Sequence, residues 1–484
     1  FLDNLTFENG SYYARYAFTP KVEKLGDGFN QAWIRLKQML KKIGNDPTKL
    51  KLIDDIFQKQ LQAGQIEVVN NGMRDGKVIR YIPMQLVVKE SSETTPYRVV
   101  IDASAHGKDE PSLNDCLEGP GSNLLEEIPR MLLRISLHKV LLAGDIEKAF
   151  LQDINSPPSI ENLLMMRYTS AAFGLKQSPY LLMATLFHHA EKRLDNIELD
   201  RKFDDDPNDF YVNEFEVSVL RDILTNCYVD NLILYCEDEN ELQQIYQEAK
   251  YTFASMGMNI RCFFSSNDEF TRTLSKENGD QGPIGETKIL GVSYDTTTDR
   301  WIMKCNLESN TDKTITKREV LSRLASIFNP LGQLVPLLLP AKRFVQKLFD
   351  KKYGWDDPLD EQDRKNWLKI VRSAMIAELP IPRLINILPR DPNIFHLALF
   401  TDASHSAMGA VVYLWTTDGA RFLIAKNQLA PTKDSKTTPK LELQALVLGM
   451  QLLIYVSQSI YHYTREFRYT VYTDATTVLQ WLKS

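Results

Sequence analysis

Hydrophobic spacing along this chain changes period several times, and each period predicts its own element. In the first 70 residues apolar side chains recur three and four apart: Ala32, Leu36, Met39, Leu40 and Ile43, then Leu52, Ile53, Ile56, Phe57 and Leu61. That spacing predicts helices over 28–43 and 49–64, the second stopped by Gly64. From Arg80 the pattern turns to β-rich runs, and 82–89 and 97–102 read as a hairpin across the polar stretch Glu90 to Pro96. A strand over 140–145 ends on Asp145. The run 226–235 is broken at its centre by Asp230 and Asn231, and reads as a hairpin with a carboxylate at its tip. Asp and Asn suit such a tip because both bond back to the local backbone and Asn accepts positive φ. Helices are expected over 180–194 and 237–256, a hairpin around 289–294, and mostly helix over 300–390, with 318–328 ended by Asn329-Pro330.

The last 90 residues alternate again. His396 to Asp402 is a strand ending in an acid, followed over 403–412 by a turn into an antiparallel partner. Thr438-Pro-Lys-Leu-Glu442 opens an apolar helix with Pro439 and an acid near its start. Tyr469 to Asp474 is another strand ending in an acid, and 476–483 another helix. Acids at strand ends and at a helix start can converge outside the carboxyl edge of a sheet. Each of the three alone also reads as an ordinary strand-end or capping acid.

A chain of 484 residues is too long for one core and suggests about three domains. With 43% hydrophobic and 25% charged residues it is expected to be an ordinary soluble chain. The net charge of -6 gives no global attraction to nucleic acid, so binding would rest on local basic surface and on metal bridges. Two basic sets are candidates: Arg35, Lys37, Lys41 and Lys42, and the denser Lys342, Arg343, Lys347, Lys351 and Lys352. Either reads equally as a solvated helix face. The five cysteines form no Cys-x-x-Cys pair, so a reduced intracellular chain without structural zinc is expected, in cytoplasm or nucleus. No signal peptide is visible, and the longest apolar runs, such as 443–456, fall short of the roughly 20 residues of a membrane span. The start at Phe1 reads as a piece of a larger polyprotein or gene model.

Asp145 and Asp230 carry the first candidate chemistry. Two carboxylates on neighbouring strands repel unless cations sit between them, and such oxygen ligands suit Mg²⁺ or Mn²⁺. Paired divalent ions roughly 3.5–4 Å apart are how polymerases activate a hydroxyl and stabilise the leaving group.

Here the sequence resembles a retroelement reverse transcriptase. Asp145-Ile-Glu-Lys-Ala-Phe150 resembles the first palm motif, Phe173-Gly-Leu-Lys-Gln-Ser-Pro179 the second, and Tyr228-Val-Asp-Asn231 the Tyr-x-Asp-Asp box. Flanking stretches narrow the likeness to BEL/Pao long-terminal-repeat retrotransposons: Leu86-Val-Val-Lys-Glu-Ser-Ser92, Arg98-Val-Val-Ile-Asp-Ala-Ser104, Ser112-Leu-Asn-Asp115 and Thr316-Lys-Arg-Glu-Val-Leu-Ser322. The resemblance implies an α+β chain with a right-handed palm, fingers and thumb polymerase, followed by a truncated ribonuclease H-like α/β domain. It implies a helical lead-in over 1–70, fingers and palm over 71–298, thumb and connection over 299–392, and the ribonuclease H-like domain over 393–484.

The same resemblance implies residue roles. Asp145, Asp230 and the Ile146 backbone would hold the polymerase metals, with Lys89, Arg98, Phe150 and Gln177 at the incoming deoxynucleoside triphosphate. Phe150 would exclude a 2′-hydroxyl by bulk. Asp402, Glu442 and Asp474 would form the ribonuclease H metal set. The implied partners are an RNA template, a DNA primer and an RNA-DNA hybrid, without a membrane. Three departures stand against this: Asn231 where the family has Asp, a short interval between Ala149 and Phe173 containing Ser156-Pro-Pro-Ser159, and an end ten residues after Asp474. They favour a second reading, a decayed or domesticated retroelement fragment that is non-catalytic and at most binds nucleic acid or a protein.

Overall fold

The structure, a computed structural model, describes residues 4–43, 46–62, 66–69, 78–88, 97–119, 124–146, 166–168, 174–203, 213–308, 314–385, 394–416, 419–432, 437–461 and 466–483. The chain divides into two compact units. One holds Phe1–Leu125, Ile146–Asp230 and Glu248–Ile260; the other holds Glu126–Asp145, Asn231–Gln247 and Arg261–Ser484.

In the first unit the two expected N-terminal helices form, at Phe29–Ile43 and Pro47–Gln62. Their apolar stripes meet: Ile53 and Phe57 are buried with Ile66, and Ile43, Ile56, Leu61, Met84 and Leu86 pack around them. The expected hairpin is present as Met84–Val88 paired antiparallel with Tyr97–Ile101, while its connection lies outside the described residues. The helix expected over 180–194 runs farther, Ser178–Phe203, and is joined by Glu214–Asn226, whose cap Asn213 accepts bonds from the backbone N–H of Phe215 and Glu216. Most of the interval between Ala149 and Phe173 lies outside the described residues, except Met166–Tyr168, which pairs antiparallel with Ile66–Val68.

The second unit carries three sheets' worth of strands. In one, the Asp145 strand (Val140–Ile146) lies between Ile260–Ser265 and Asn231–Cys236. Its sequence Val-Leu-Leu-Ala-Gly is buried throughout, as befits a central strand rather than a half-solvated one. In the next, Glu286–Ile289, Val292–Asp295, Arg300–Cys305 and Ile376–Pro382 follow in order. The first pair is the expected hairpin, turned by Leu290 and Gly291 at φ 51° and 86°, and two successive positive values are the twist a two-residue turn needs. Helices Lys317–Ala325, Val335–Asp350 and Glu361–Ala374 intervene.

The third sheet has the order Gly419–Leu429, Ala407–Thr416, Ile394–Ala403, Glu466–Tyr472, antiparallel except for the last pair. Helix Thr438–Ile460 packs on it. This helix corrects the estimate that no apolar run reaches membrane length: at 23 residues it is long and apolar enough by length and composition to cross one. Half of its most apolar window is nonetheless buried within the structure, as in a core helix.

Candidate metal centre

The parallel pairing of Ile394–Ala403 with Glu466–Tyr472 sets Phe400 beside Tyr472, their rings stacked at 4.5 Å. Asp402 and Asp474 each follow two residues later, so both strands deliver an acid at the same edge. The third acid comes from the helix. Gly449 lets that helix approach closely: a Cβ there would stand 2.4 Å from Thr401 Cγ2 and 3.0 Å from Leu399 Cδ1. Leu441 and Ala445 complete the seat by packing with Met408, Ala430 and Ala403. Glu442, one residue after Leu441, is thereby carried to the strand ends.

Ligand oxygens of Asp402, Glu442 and Asp474 all lie within 4.8 Å of one another. The two aspartates are exposed and Glu442 is buried. Burial, then the charges of Asp402 and Asp474, push the Glu442 carboxyl above its ordinary range, opposed by one backbone bond from Ala403. Its Oε2 is buried without a hydrogen-bond partner among the described residues. A buried, unpaired carboxylate oxygen facing two like charges is costly. A divalent cation would offset that cost, and a donor set made only of carboxylate oxygens fits Mg²⁺ or Mn²⁺. The triad expected from the sequence is thus brought together.

The other expected set is placed less completely. Asp145 stands opposite Asn231 in the antiparallel register of the second unit. In the first unit the Ile146 N–H donates to the Asp230 carbonyl at 2.8 Å. Asp145 and Asp230 fall on the two sides of the division between units. The positive φ anticipated for the Asp-Asn tip is found at Val229 instead, at 56°. A β-branched residue there costs roughly 1–3 kcal/mol, so surrounding structure fixes this turn against local preference. Gln177 is buried, its Nε2 donating to the carbonyls of Ala17 at 3.1 Å and Glu118 at 3.0 Å. Arg98 pairs through its backbone with Val87. Lys89 and Phe150 lie outside the described residues.

The basic set offered for a duplex backbone is largely committed elsewhere. Lys347 and Lys351 both bind Asp363, a carboxylate with no exposure, and Lys342 donates to Asn427 at 2.7 Å. Two features went unread in the sequence. Gly449 had a signal, a lone glycine inside an apolar helix, which marks close approach. Arg383, fully buried in the second unit, had none.

Residues 316–475 match the model of the Pao retrotransposon-like RNaseH-like domain family, a stretch that contains all three acids. No curated protein sequence matches the chain. Among solved structures, the foamy viral protease-reverse transcriptase dRH in complex with double-stranded DNA is similar at 15% identity and a TM-score of 0.51, over 90% of this chain and 64% of that one. The foamy viral protease-reverse transcriptase in complex with an RNA/DNA hybrid is similar at 14% identity and a TM-score of 0.47, over 87% of this chain and 48% of that one. This chain therefore spans less than two thirds of the length of either. The family match defines a ribonuclease H-like domain, and the chain as a whole is a mixed helix and sheet fold structurally similar to a retroviral reverse transcriptase. The family match and the structural similarity together support a Pol polyprotein of the Pao/BEL type, with the family match itself confined to residues 316–475.

Proposed function

We propose that this chain cleaves the RNA strand of RNA-DNA hybrids, using Asp402, Glu442 and Asp474 to hold Mg²⁺ or Mn²⁺. The observation that carries this reading is the convergence of the three carboxylates within 4.8 Å, with the buried Oε2 of Glu442 without a hydrogen-bond partner among the described residues. Asp402, Glu442 and Asp474 would hold the divalent metal, which would supply Lewis-acid activation of water and charge neutralisation at the scissile phosphate. The chain's own part is to hold these oxygens in place: the exposed aspartates face solvent, where a phosphodiester backbone can approach, and the buried glutamate fixes the inner side. The similarity to a reverse transcriptase fold extends the reading to the rest of the chain. On it, residues 71–298 are fingers and palm, 299–392 thumb and connection, 393–484 the ribonuclease H-like domain and 1–70 a helical lead-in. Asp145, Asp230 and Ile146 then serve RNA- and DNA-templated addition of deoxynucleotides to a DNA primer, with Lys89, Arg98, Phe150 and Gln177 at the nucleotide.

One observation favours a second reading for the polymerase part. Asn231 pairs with Asp145 in register, so a neutral amide stands where the family has a carboxylate. A neutral oxygen holds Mg²⁺ more weakly than a charged one. That reading is a silenced polymerase beside a working hydrolytic site, or a wholly non-catalytic fragment. The test uses a labelled hybrid with Mg²⁺ and with Mn²⁺, comparing the chain with Asp402→Asn. Metal-dependent RNA cleavage lost in the variant supports hydrolysis; no cleavage by the parent with either metal sinks it.

A further inference from the structure

Arg383 is fully buried, and every N–H of its guanidinium has an assigned acceptor. Nε donates to Asp299 Oδ1 at 2.5 Å and Nη2 to Asp299 Oδ2 at 2.8 Å. Nη1 donates to the carbonyls of Ile135 and His138, both at 2.7 Å, and Nη2 also to that of Lys139 at 2.9 Å. Five donors for five bonds is all that an arginine has. The neighbouring backbone repeats the link: Arg383 N–H donates to the Asp299 carbonyl at 3.0 Å, and Ile385 N–H to that of Ser136 at 2.7 Å. Asp299 is itself held by the Tyr294 hydroxyl at 2.7 Å.

What this fork grips is the lead into one particular strand. Lys139 immediately precedes Val140–Ile146, which ends on Asp145. The beginning of the same segment is fixed by the helix that carries Glu442: the Arg130 guanidinium lies 4.6 Å from the Tyr455 ring centre, and Tyr455 bonds the Glu127 carboxylate. The stretch from Glu127 to Lys139 is thus held at both ends by residues that come more than 240 positions later. From Val140 the strand rises by roughly 17 Å to Asp145, so an error at its root is carried to the acid. Buried charge on this scale, without access to solvent, is costly unless fully paired.

We propose that Arg383 is a positioning residue for Asp145, setting the strand that presents the acid from the C-terminal half of the chain. The inference rests on the reading of Asp145 as a polymerase acid. Lysine cannot replace it: a single ammonium reaches neither the three carbonyls nor both carboxylate oxygens together.

The test uses the full chain, in the parent and the Asn231→Asp background, with Arg383→Lys and Arg383→Gln. Arg383→Lys keeps the charge beside Asp299, so one variant remains usable where the other fails to fold. Amide exchange at 141–143 is expected to speed up at least about tenfold while that at 397–400 stays within about twofold. In primer extension, kcat is expected to fall at least about tenfold with KM for the deoxynucleotide within about twofold. Unchanged exchange at 141–143 in a folded variant overturns the inference, as does unchanged kcat. If no background extends a primer at all, the polymerase reading fails by itself, and the exchange comparison still decides the role of Arg383.

Discussion

Asp145 and Asn231 face each other across two antiparallel strands, the last matched pair of a register that begins at Val140 and Cys236. One acid and one amide therefore occupy opposite register positions at this strand end. Asn231→Asp is expected to raise Mg²⁺-dependent primer extension by at least about 10-fold, the range in which groups around a metal act. Steady-state extension on an RNA template measures it. Equal rates in parent and variant mean that Asn231 is not the limiting departure.

Glu442 gives a prediction with a definite sign. Its carboxyl is raised by burial and by Asp402 and Asp474, so the folded state holds its proton to higher pH than the unfolded state does. Stability from this group is present below the unfolded value and is lost as pH rises through the folded one. Without divalent metal, Glu442→Gln is expected to melt higher than the parent at neutral pH and equally at pH 4. Adding Mg²⁺ is expected to raise the parent's Tm and leave the variant's unchanged. Thermal melts at the two pH values, with and without EDTA, check both parts.

Gly449→Ala sets two effects against each other. Alanine gains up to about 1 kcal/mol of helix propensity over glycine. Its Cβ would stand 2.4 Å from the Thr401 methyl, on a β-branched side chain that cannot swing aside within a sheet. Overpacking of this kind costs about 1–3 kcal/mol, so net destabilisation is expected in urea unfolding. Weaker Mn²⁺ binding is expected with it, because the same helix carries Glu442.

Asp363 and Asp360 predict acid sensitivity. Burial pushes the Asp363 carboxyl up, but the Lys351 and Lys347 bonds outweigh it and hold it low. Asp360 is held at about 2 by the Asp363 backbone N–H and the Tyr353 hydroxyl. Depressed carboxylates stabilise above their unfolded value and lose that stability as pH falls through the folded one, here from about 4 towards 2. Asp363→Asn is expected to cost about 1–2 kcal/mol at pH 7, since both lysines remain partly solvated, and progressively less as pH falls into the acid range. Chemical unfolding at the two pH values reads the difference.

Much of this was legible in the chain because an acid that closes a β-rich run declares both its element and its place. Asp402 and Asp474 were found that way, and Glu442 by the helix start around Pro439. The strand Gly419–Leu429 was not, since its burial does not alternate: a register shift opposite Val412 and Tyr413 interrupts the period. Val229 was missed because its positive φ runs against its own preference. The lysines at 347 and 351 looked free because their partner, Asp363, lies 16 and 12 positions on, in the first turn of the next helix. Charge counts along a chain do not show which charges meet.

The most direct measurement is calorimetric titration of Mn²⁺ into the metal-free chain and into Asp402→Asn, Glu442→Gln and Asp474→Asn. The expected result is saturable binding by the parent, weakened at least about 10-fold in each variant. Binding by all four proteins with the same affinity, or by none, contradicts a metal centre at these three acids.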